Sequence, residues 1–441
     1  MALPSSSSPS RSSAPLPRIL IVAEHASASF GGEAALPLHY FRVLLARGAP
    51  VWLITHARVR SELTALFPQA MDRILFVEDS RLHRWMCQLG SQLPSRISYF
   101  TTGFVSRFST QLEQKRLARQ LIVQRGIQVV HQPMPVSPRE PSILFDLGAP
   151  VAIGPMNGGM EYPPAFQPRK IRWVAKLVGL GRATAGLMNR IMPGKPRAAA
   201  LLVANERTRQ ALPLDLGARA VVLPENGVDL SLWQRPAAYA AGPGSGVPTF
   251  VFMGRMVDWK AVDLLLYAFD QSSRKAPMSL TLIGDGPESP ALREQARQQG
   301  RLALREGEAG KIFFAGWQPQ ATCADILRRS QALVLPSLWE CGGAVVLEAM
   351  ACGLPVIATA WGGPMDYLDD RCGILVPPTT RPSLIDGLAQ AMRTLATDAD
   401  LRQRMGAAGR AKVQREFDWE HKVDVMLDVY RRLIAEHNTT A

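Results

Sequence analysis

The chain has 441 residues, too many for one ordinary hydrophobic core, so two domains are expected. Hydrophobic residues make up 47% and charged residues 20%, a globular composition with ample material for burial. The net charge of +13 and pI near 9.9 point to an anionic partner, whether nucleic acid, an anionic membrane surface or a phosphorylated small molecule. Five cysteines, Cys87, Cys323, Cys341, Cys352 and Cys372, form an odd set without Cys-x-x-Cys or Cys/His spacing. That excludes a disulfide framework and a zinc site, and fits a reducing cytoplasm. No apolar run reaches the roughly 18 residues of a membrane-spanning helix.

Residues 1–17 are rich in Ser and Pro and read as a disordered tail. Arg18–Glu24 is a short apolar run, as a buried parallel strand requires. A loop containing Gly31 and Gly32 follows and passes into a helix ending near Ala46; glycines at such a turn let backbone N–H groups approach an anion. Strand-like runs recur at Val51–Thr55, Arg73–Glu78, Gln128–Gln132, Val151–Pro155 and Ala220–Pro224. Strand and helix in alternation mean a parallel sheet covered on both faces, with ligands beyond the carboxyl ends of the strands. His131, Asn157, Gly158 and Gly159 stand at such ends.

Between Glu161 and Glu206 there is no acidic residue, while basic residues accumulate from Arg169 to Arg197 among apolar ones at helical spacing. This segment is read either as an ordinary helix with a solvated basic face or as a helix lying on an anionic bilayer. Gly242–Gly246 reads as an interdomain linker. A second alternation then begins: Thr249–Gly254, a helix from about Trp259 to Arg274, Ser279–Gly284, a helix to about Glu306, Lys311–Gly316 and Ala332–Ser337. A last amphipathic helix runs from about Trp419 to His437.

The stretch Leu335–Thr359 is the most informative. Glu348 sits in Val345–Ala351 with no other polar side chain, and a helix apolar all round is expected to be buried. An ionised carboxylate there is costly unless a ligand or partner satisfies it or it reaches a nearby surface. Gly342 and Gly343 open this helix and offer an anion-binding N-terminus. Gly254-Arg255 ends one strand and Lys260 follows five residues later, placing two cations where a diphosphate would be held. Gly284-Asp285-Gly286 again allows close backbone approach. Carboxylates beside an anion site suit hydroxyl ligands, so Glu340 and Glu348 point to a sugar and a ribose, and the whole to a nucleotide-sugar.

This arrangement resembles the GT-B fold, and specifically the retaining family four of glycosyltransferases (glycosyl transferases group 1). The resemblance is carried by Glu340-x7-Glu348 with Ala349-Met350, by Gly353–Ile357, by Gly254-Arg255 with Lys260, and by Pro224–Asp229. It implies an α/β architecture of two Rossmann-like doubly wound domains facing a central cleft: residues 18–240 bind acceptor, 247–417 bind the nucleotide-sugar donor, and a helix over 418–437 crosses back to the first domain. It implies a hexosyltransferase acting with retention, without metal or other cofactor, on a hydroxyl acceptor. Catalytic roles fall to His131, Arg255, Lys260 and Glu340. The donor set is Gly31, Gly32, Asn226, Gly284, Gly286, Glu340, Cys341, Gly342, Gly343, Ala344 and Glu348, and the acceptor set Asn157, Gly158 and Gly159.

The chain departs from the family pattern at three points, one of which is that His131-Gln132-Pro133 with Gly154–Gly159 resembles one branch of the family rather than its commonest pattern, so the acceptor is not carried over. Cys341-Gly342-Gly343 stands where Gly-Phe-Gly is frequent, and Ala261 follows Lys260 where Gly is usual. Two other readings of the residues stand beside the transferase. One is a sugar-nucleotide epimerase or phosphorylase of the same fold; the other is a non-enzymatic basic protein binding membrane or nucleic acid, although no nucleic-acid-binding module is present. The expected partners are a nucleotide-sugar and a hydroxyl acceptor, with peripheral contact at the inner face of a membrane through residues 169–197 and no nucleic acid.

Overall fold

The computed structural model describes residues 15–30, 32–92, 101–167, 185–234 and 247–440. The tail over 1–14, Gly31, the Gly242–Gly246 linker and much of the basic 169–197 segment lie outside the described residues. By internal packing the chain forms two units. The first holds the described residues up to Gly159, those from 185 to Glu225, and those from Lys422 onward; the second holds Met160 to 167 and Asn226 to His421. The chain therefore changes unit at the Gly159–Met160 peptide and again after Glu225.

The first unit is a parallel sheet in the order β3-β2-β1-β4-β5-β6-β7. Its strands are β1 (Ile19–Val22), β2 (Val51–His56), β3 (Ile74–Val77), β4 (Val129–Gln132), β5 (Val151–Met156), β6 (Ala200–Val203) and β7 (Ala220–Val222). β1, β4, β5 and β6 are buried throughout; β1, β5 and β6 carry no charged or hydrogen-bonding side chain, whereas β4 buries His131 and Gln132, both hydrogen-bonded. β6 was not foreseen; only four residues long, it lies close behind the acid-free basic stretch. The terminal helix Trp419–Thr440 packs Val429 and Leu433 on Ala152 and Ala200. Asp424 of that helix pairs with Arg47 at 2.5 Å.

The second unit is a parallel sheet in the order β10-β9-β8-β11-β12-β13. It comprises β8 (Thr249–Met253), β9 (Ser279–Ile283), β10 (Ile312–Gly316), β11 (Ala332–Leu335), β12 (Val356–Thr359) and β13 (Gly373–Val376). Both sheets reverse their winding once, at β1/β4 and at β8/β11. At such a reversal the connecting helices diverge to opposite faces and leave a crevice at the carboxyl ends.

Two local expectations change. The helix after β8 starts at Val262, because Ala261 takes a left-handed conformation (φ 49°) that ends a short 3-10 turn over Asp258–Lys260. The helix of Glu348 is Ala344–Ala351, but it is not buried on every side. Val346, Leu347, Ala349, Met350 and Ala351 are buried, whereas Ala344, Val345 and Glu348 share a partly open face. Among the described residues no helix is long and apolar enough to cross a membrane.

Candidate active site

In the second unit the carboxyl ends of β8 and β11 bring Lys260 and Glu340 together. The Lys260 ammonium donates to Glu340 Oε2, and the two side chains are only 15% and 13% exposed. Gly254 lies alongside; a Cβ there would meet Lys260 Cε at 3.9 Å. Arg255 is exposed and forms no side-chain ion pair among the described residues, so its guanidinium remains available. Gly343 adopts φ 78° at the start of the Glu348 helix, and a Cβ there would press on Glu340 Cγ at 3.0 Å. The helix N-terminus and the Lys260–Glu340 pair are thus neighbours, with Cys341 and Gly342 between them in sequence. Five residues into the helix, Glu348 has no side-chain hydrogen-bond donor among the described residues. Burial pushes its carboxyl up to about 7 from an ordinary 4.5.

The other donor-set residues are occupied structurally. Cβ atoms at Gly284 and Gly286 would fall 2.0 Å from Gly254 O and 2.2 Å from Met256 O. These glycines allow the β9 loop to pack closely on the β8 loop. Asn226 is buried and donates to Tyr367 Oη at 3.0 Å.

In the first unit His131, on β4, is fully buried. Its Nε2 donates to Gly154 O at 2.6 Å, which leaves Nδ1 to accept from Tyr430 Oη at 2.7 Å. Tyr40 packs edge-on against the ring at 4.8 Å. Burial holds the imidazole down to about 4, hence neutral. Both nitrogens are hydrogen-bonded within the fold, and through them the ring links β4, β5 and the terminal helix. Of the proposed acceptor residues Asn157 is buried, Gly158 half-buried and Gly159 exposed. Asn157 Nδ2 donates to Glu225 Oε1 at 2.5 Å, and its Oδ1 accepts from Thr208 Oγ1 at 3.3 Å. A Cβ at Gly158 would meet Pro138 Cδ at 2.6 Å, and one at Gly159 would meet Ala211 Cβ at 2.9 Å. Gly32, by contrast, faces open space.

Residues 247–398 match the family described as glycosyl transferases group 1. The match covers about a third of the chain, all of it in the second unit. Alpha-maltose-1-phosphate synthase of Mycolicibacterium smegmatis is 31% identical over 245 residues, 52% of this chain and 60% of its own. D-inositol 3-phosphate glycosyltransferase of Saccharomonospora viridis is 32% identical over 236 residues, 52% of this chain and 53% of its own. The chain spans about half the length of the curated relatives it matches. The Anabaena Alr3699/HepE structure in complex with UDP superposes with a TM-score of 0.62 at 15% identity, over 96% of this chain and 100% of that one. The two doubly wound units are those of the GT-B fold.

The matched residues include Arg255, Lys260, Glu340, Gly342, Gly343 and Glu348, so the specific half of the sequence resemblance and the family match coincide. Outside it, sequence reasoning passed over a cluster at the carboxyl end of β1. His25 Nε2 lies 3.7 Å from Glu24 Oε1, and Phe30, 53% exposed, lies 5.2 Å from the His25 ring. Burial raises the Glu24 carboxyl, opposed by Arg107 and Arg58 and reinforced by Glu140. The signal was present in the sequence: a Glu-His pair ending a wholly apolar strand. Within the basic 169–197 segment, Lys195 is fully buried and donates to Ser137 O and Pro138 O at 2.8 and 2.9 Å. Arg197 pairs with Asp146. Lys195 is thus spent internally and Arg197 pairs at the surface, while Leu187, Arg190 and Ile191 are exposed together. Among the described residues no cluster of three or more His, Cys, Asp or Glu could hold a metal ion.

Proposed function

We propose that the protein is a glycosyltransferase that moves a hexose-type sugar from a nucleoside-diphosphate sugar to a hydroxyl acceptor, with retention at the anomeric carbon. The single observation that carries this reading is the Lys260–Glu340 pair beside the Gly343 end of the Glu348 helix. Cation, carboxylate and helix N-terminus meet within the matched residues, and each has a counterpart in a sugar nucleotide. The diphosphate would be held by Lys260, by the exposed Arg255 and by the positive N-terminus of the helix Ala344–Ala351. Glu340 would accept from donor-sugar hydroxyls and Glu348 from the ribose hydroxyls. Charge building on the leaving phosphate as the glycosidic bond breaks is then met by fixed cations, which is where most of the rate enhancement would arise. In this reading the leaving phosphate oxygen takes the acceptor proton on the same face of the sugar, and no metal is assigned to the diphosphate.

The acceptor falls to the first unit, and the carboxyl end of β1 supports it better than Asn157–Gly159. Glu24, His25 and the exposed Phe30 ring supply hydrogen-bonding groups and an apolar face, the combination that suits a glycan, a lipid-linked sugar or a small polyol. Peripheral membrane contact is proposed for the segment ending in Leu187, Arg190 and Ile191. Pelleting with vesicles containing an anionic lipid tests it, and absence of binding removes it. The donor is tested by a thermal-shift screen of UDP-, GDP- and ADP-sugars, since a ligand at about a hundred times its Kd stabilises by about 2.7 kcal/mol. A shift with none of them, together with no sugar release, overturns the reading.

A further inference from the structure

We propose that Glu161, Tyr162 and Trp361 clamp the loop that carries Glu340, and that this clamp sets how firmly the sugar part of the donor is held. The proposal rests on the reading of Glu340 as a donor-sugar ligand. Residues 336–343 between β11 and the Glu348 helix have no regular secondary structure, so the position of Glu340 depends on what packs against its backbone. Behind it lies the turn Trp361-Gly362-Gly363. Gly363 N donates to Glu340 O at 2.7 Å. Gly362 takes φ 72°, and a Cβ there would lie 2.5 Å from Glu340 O and 2.6 Å from Met160 Cε. A Cβ at Gly363 would lie 2.3 Å from Gly342 O. The two glycines therefore exist to let this turn approach the backbone of Glu340–Gly342.

The far side of that arrangement is closed by three consecutive residues, Met160 to Tyr162, which belong to the second unit although the chain leaves the first only at Gly159. Trp361 Nε1 donates to Glu161 O at 2.7 Å. Met160 covers Gly362. Tyr162 meets Trp339 edge-to-face, with ring centroids 4.7 Å apart at 79°. Trp339 immediately precedes Glu340, and Trp361 begins the turn behind it, so one short segment holds both the flank and the back of the carboxylate. Arg255 and Glu348, which would hold the nucleotide, lie on other elements and are not touched by it. Tyr162 and Trp361 are accordingly positioning residues: loosening them displaces Glu340 first and reaches the diphosphate contacts only indirectly, through its partner Lys260 and the Cys341–Gly342 backbone.

The test measures dissociation constants for UDP and UDP-glucose, or for the nucleotide pair selected by the thermal screen, on the full chain. Wild type is compared with Trp361→Phe, Tyr162→Leu and Tyr162→Phe. Trp361→Phe and Tyr162→Leu are expected to lose less affinity for UDP than for UDP-glucose, so that the ratio of UDP-glucose to UDP dissociation constants rises about tenfold. The rate of sugar release should fall with it. Tyr162→Phe retains the edge-to-face contact and should restore the wild-type ratio. An unchanged ratio in both disruptive variants overturns the clamp. So does a parallel loss of UDP and UDP-glucose affinity with a matching fall in Tm, which would mark the segment as general scaffolding. Wild-type protein that binds no nucleoside diphosphate overturns the donor reading itself, a result distinct from either.

Discussion

Lys260 and Glu340 are eighty residues apart in sequence and form a nearly buried ion pair at the mouth of the second sheet. Removing one member of such a pair strands the other, so single substitutions here act on more than the group deleted. Lys260→Ala and Glu340→Gln are each expected to raise the barrier to sugar transfer by roughly 2 to 4 kcal/mol. That is roughly a 30- to 900-fold loss in kcat. The double variant should lose less than the sum, because the second substitution removes a partner already stranded. Single-turnover rates for the four proteins check this, and full additivity would mean that the pair does not act as a unit.

Glu348 carries a pH signature. Its carboxyl titrates near 7 in the folded chain against an ordinary 4.5, so deprotonation between those values costs folding stability. The favourable contribution is present below about 4.5 and is lost as pH rises through about 7. Glu348→Gln should therefore match wild type in stability near pH 4.5 and exceed it at pH 8, by at most about 3 kcal/mol. Nucleotide binding should move the opposite way. If ribose hydroxyls donate to the ionised form, affinity weakens as pH falls below about 7 in wild type and is poor and pH-independent in the variant. Denaturation curves and titration calorimetry at the two pH values decide both halves.

His131 gives the converse prediction. Its ring is neutral in the fold, held down to about 4 from 6.5, so its stabilising contribution is present above 6.5 and is lost as pH falls toward 4. His131→Phe should destabilise clearly at pH 7 and less, relative to wild type, at pH 4.5. Tyr430→Phe, which leaves Nδ1 without its donor, should cost about 1 to 3 kcal/mol. Sugar release per folded molecule should stay within about twofold of wild type in Tyr430→Phe, as expected of a strut. A hundredfold loss of rate at unchanged stability would place His131 in the chemistry.

Glycine substitutions separate backbone strain from crowding. Gly48 and Gly362 share nearly the same φ, 73° and 72°, but a Cβ at Gly48 meets nothing within 4 Å. Gly48→Ala should cost only the left-handed penalty of about 1 to 2 kcal/mol. Gly362→Ala must also push Glu340 O and Met160 aside, and should cost more in Tm and lower sugar release more than Gly48→Ala does. Equal effects would show that the approach of the turn to Glu340 is unimportant.

The alternation of strands and helices in both units was legible because wholly buried parallel strands are mostly apolar along their length. The cation and carboxylate set around Lys260, Glu340 and Glu348 was legible because charged residues in a stretch otherwise apolar need a reason to be there. What the sequence could not disclose was the partner of each group. His131 stands at a strand end as a ligand-binding residue would, and its hydrogen-bond partner Tyr430 comes nearly three hundred residues later. Gly284 and Gly286 look like a phosphate turn, and within the fold the close approach they permit is to a neighbouring loop. Ala261 departs from the usual Gly but keeps the left-handed backbone at φ 49°, so the substitution left the Lys260 turn in its conformation. Contacts between residues distant in sequence have no local pattern, and the Met160–Tyr162 segment has none at all.

Because that segment reaches the second unit ahead of the rest, the second unit has no contiguous gene segment of its own. A fragment cut at 247–398, or even at 226–421, would leave the Trp361 indole without its acceptor, Gly362 uncovered and Trp339 without its aromatic neighbour. Exchanging this unit with that of another protein would therefore require moving eight or so residues from the middle of the other unit as well, or the graft would keep the turn behind Glu340 but lose what braces it.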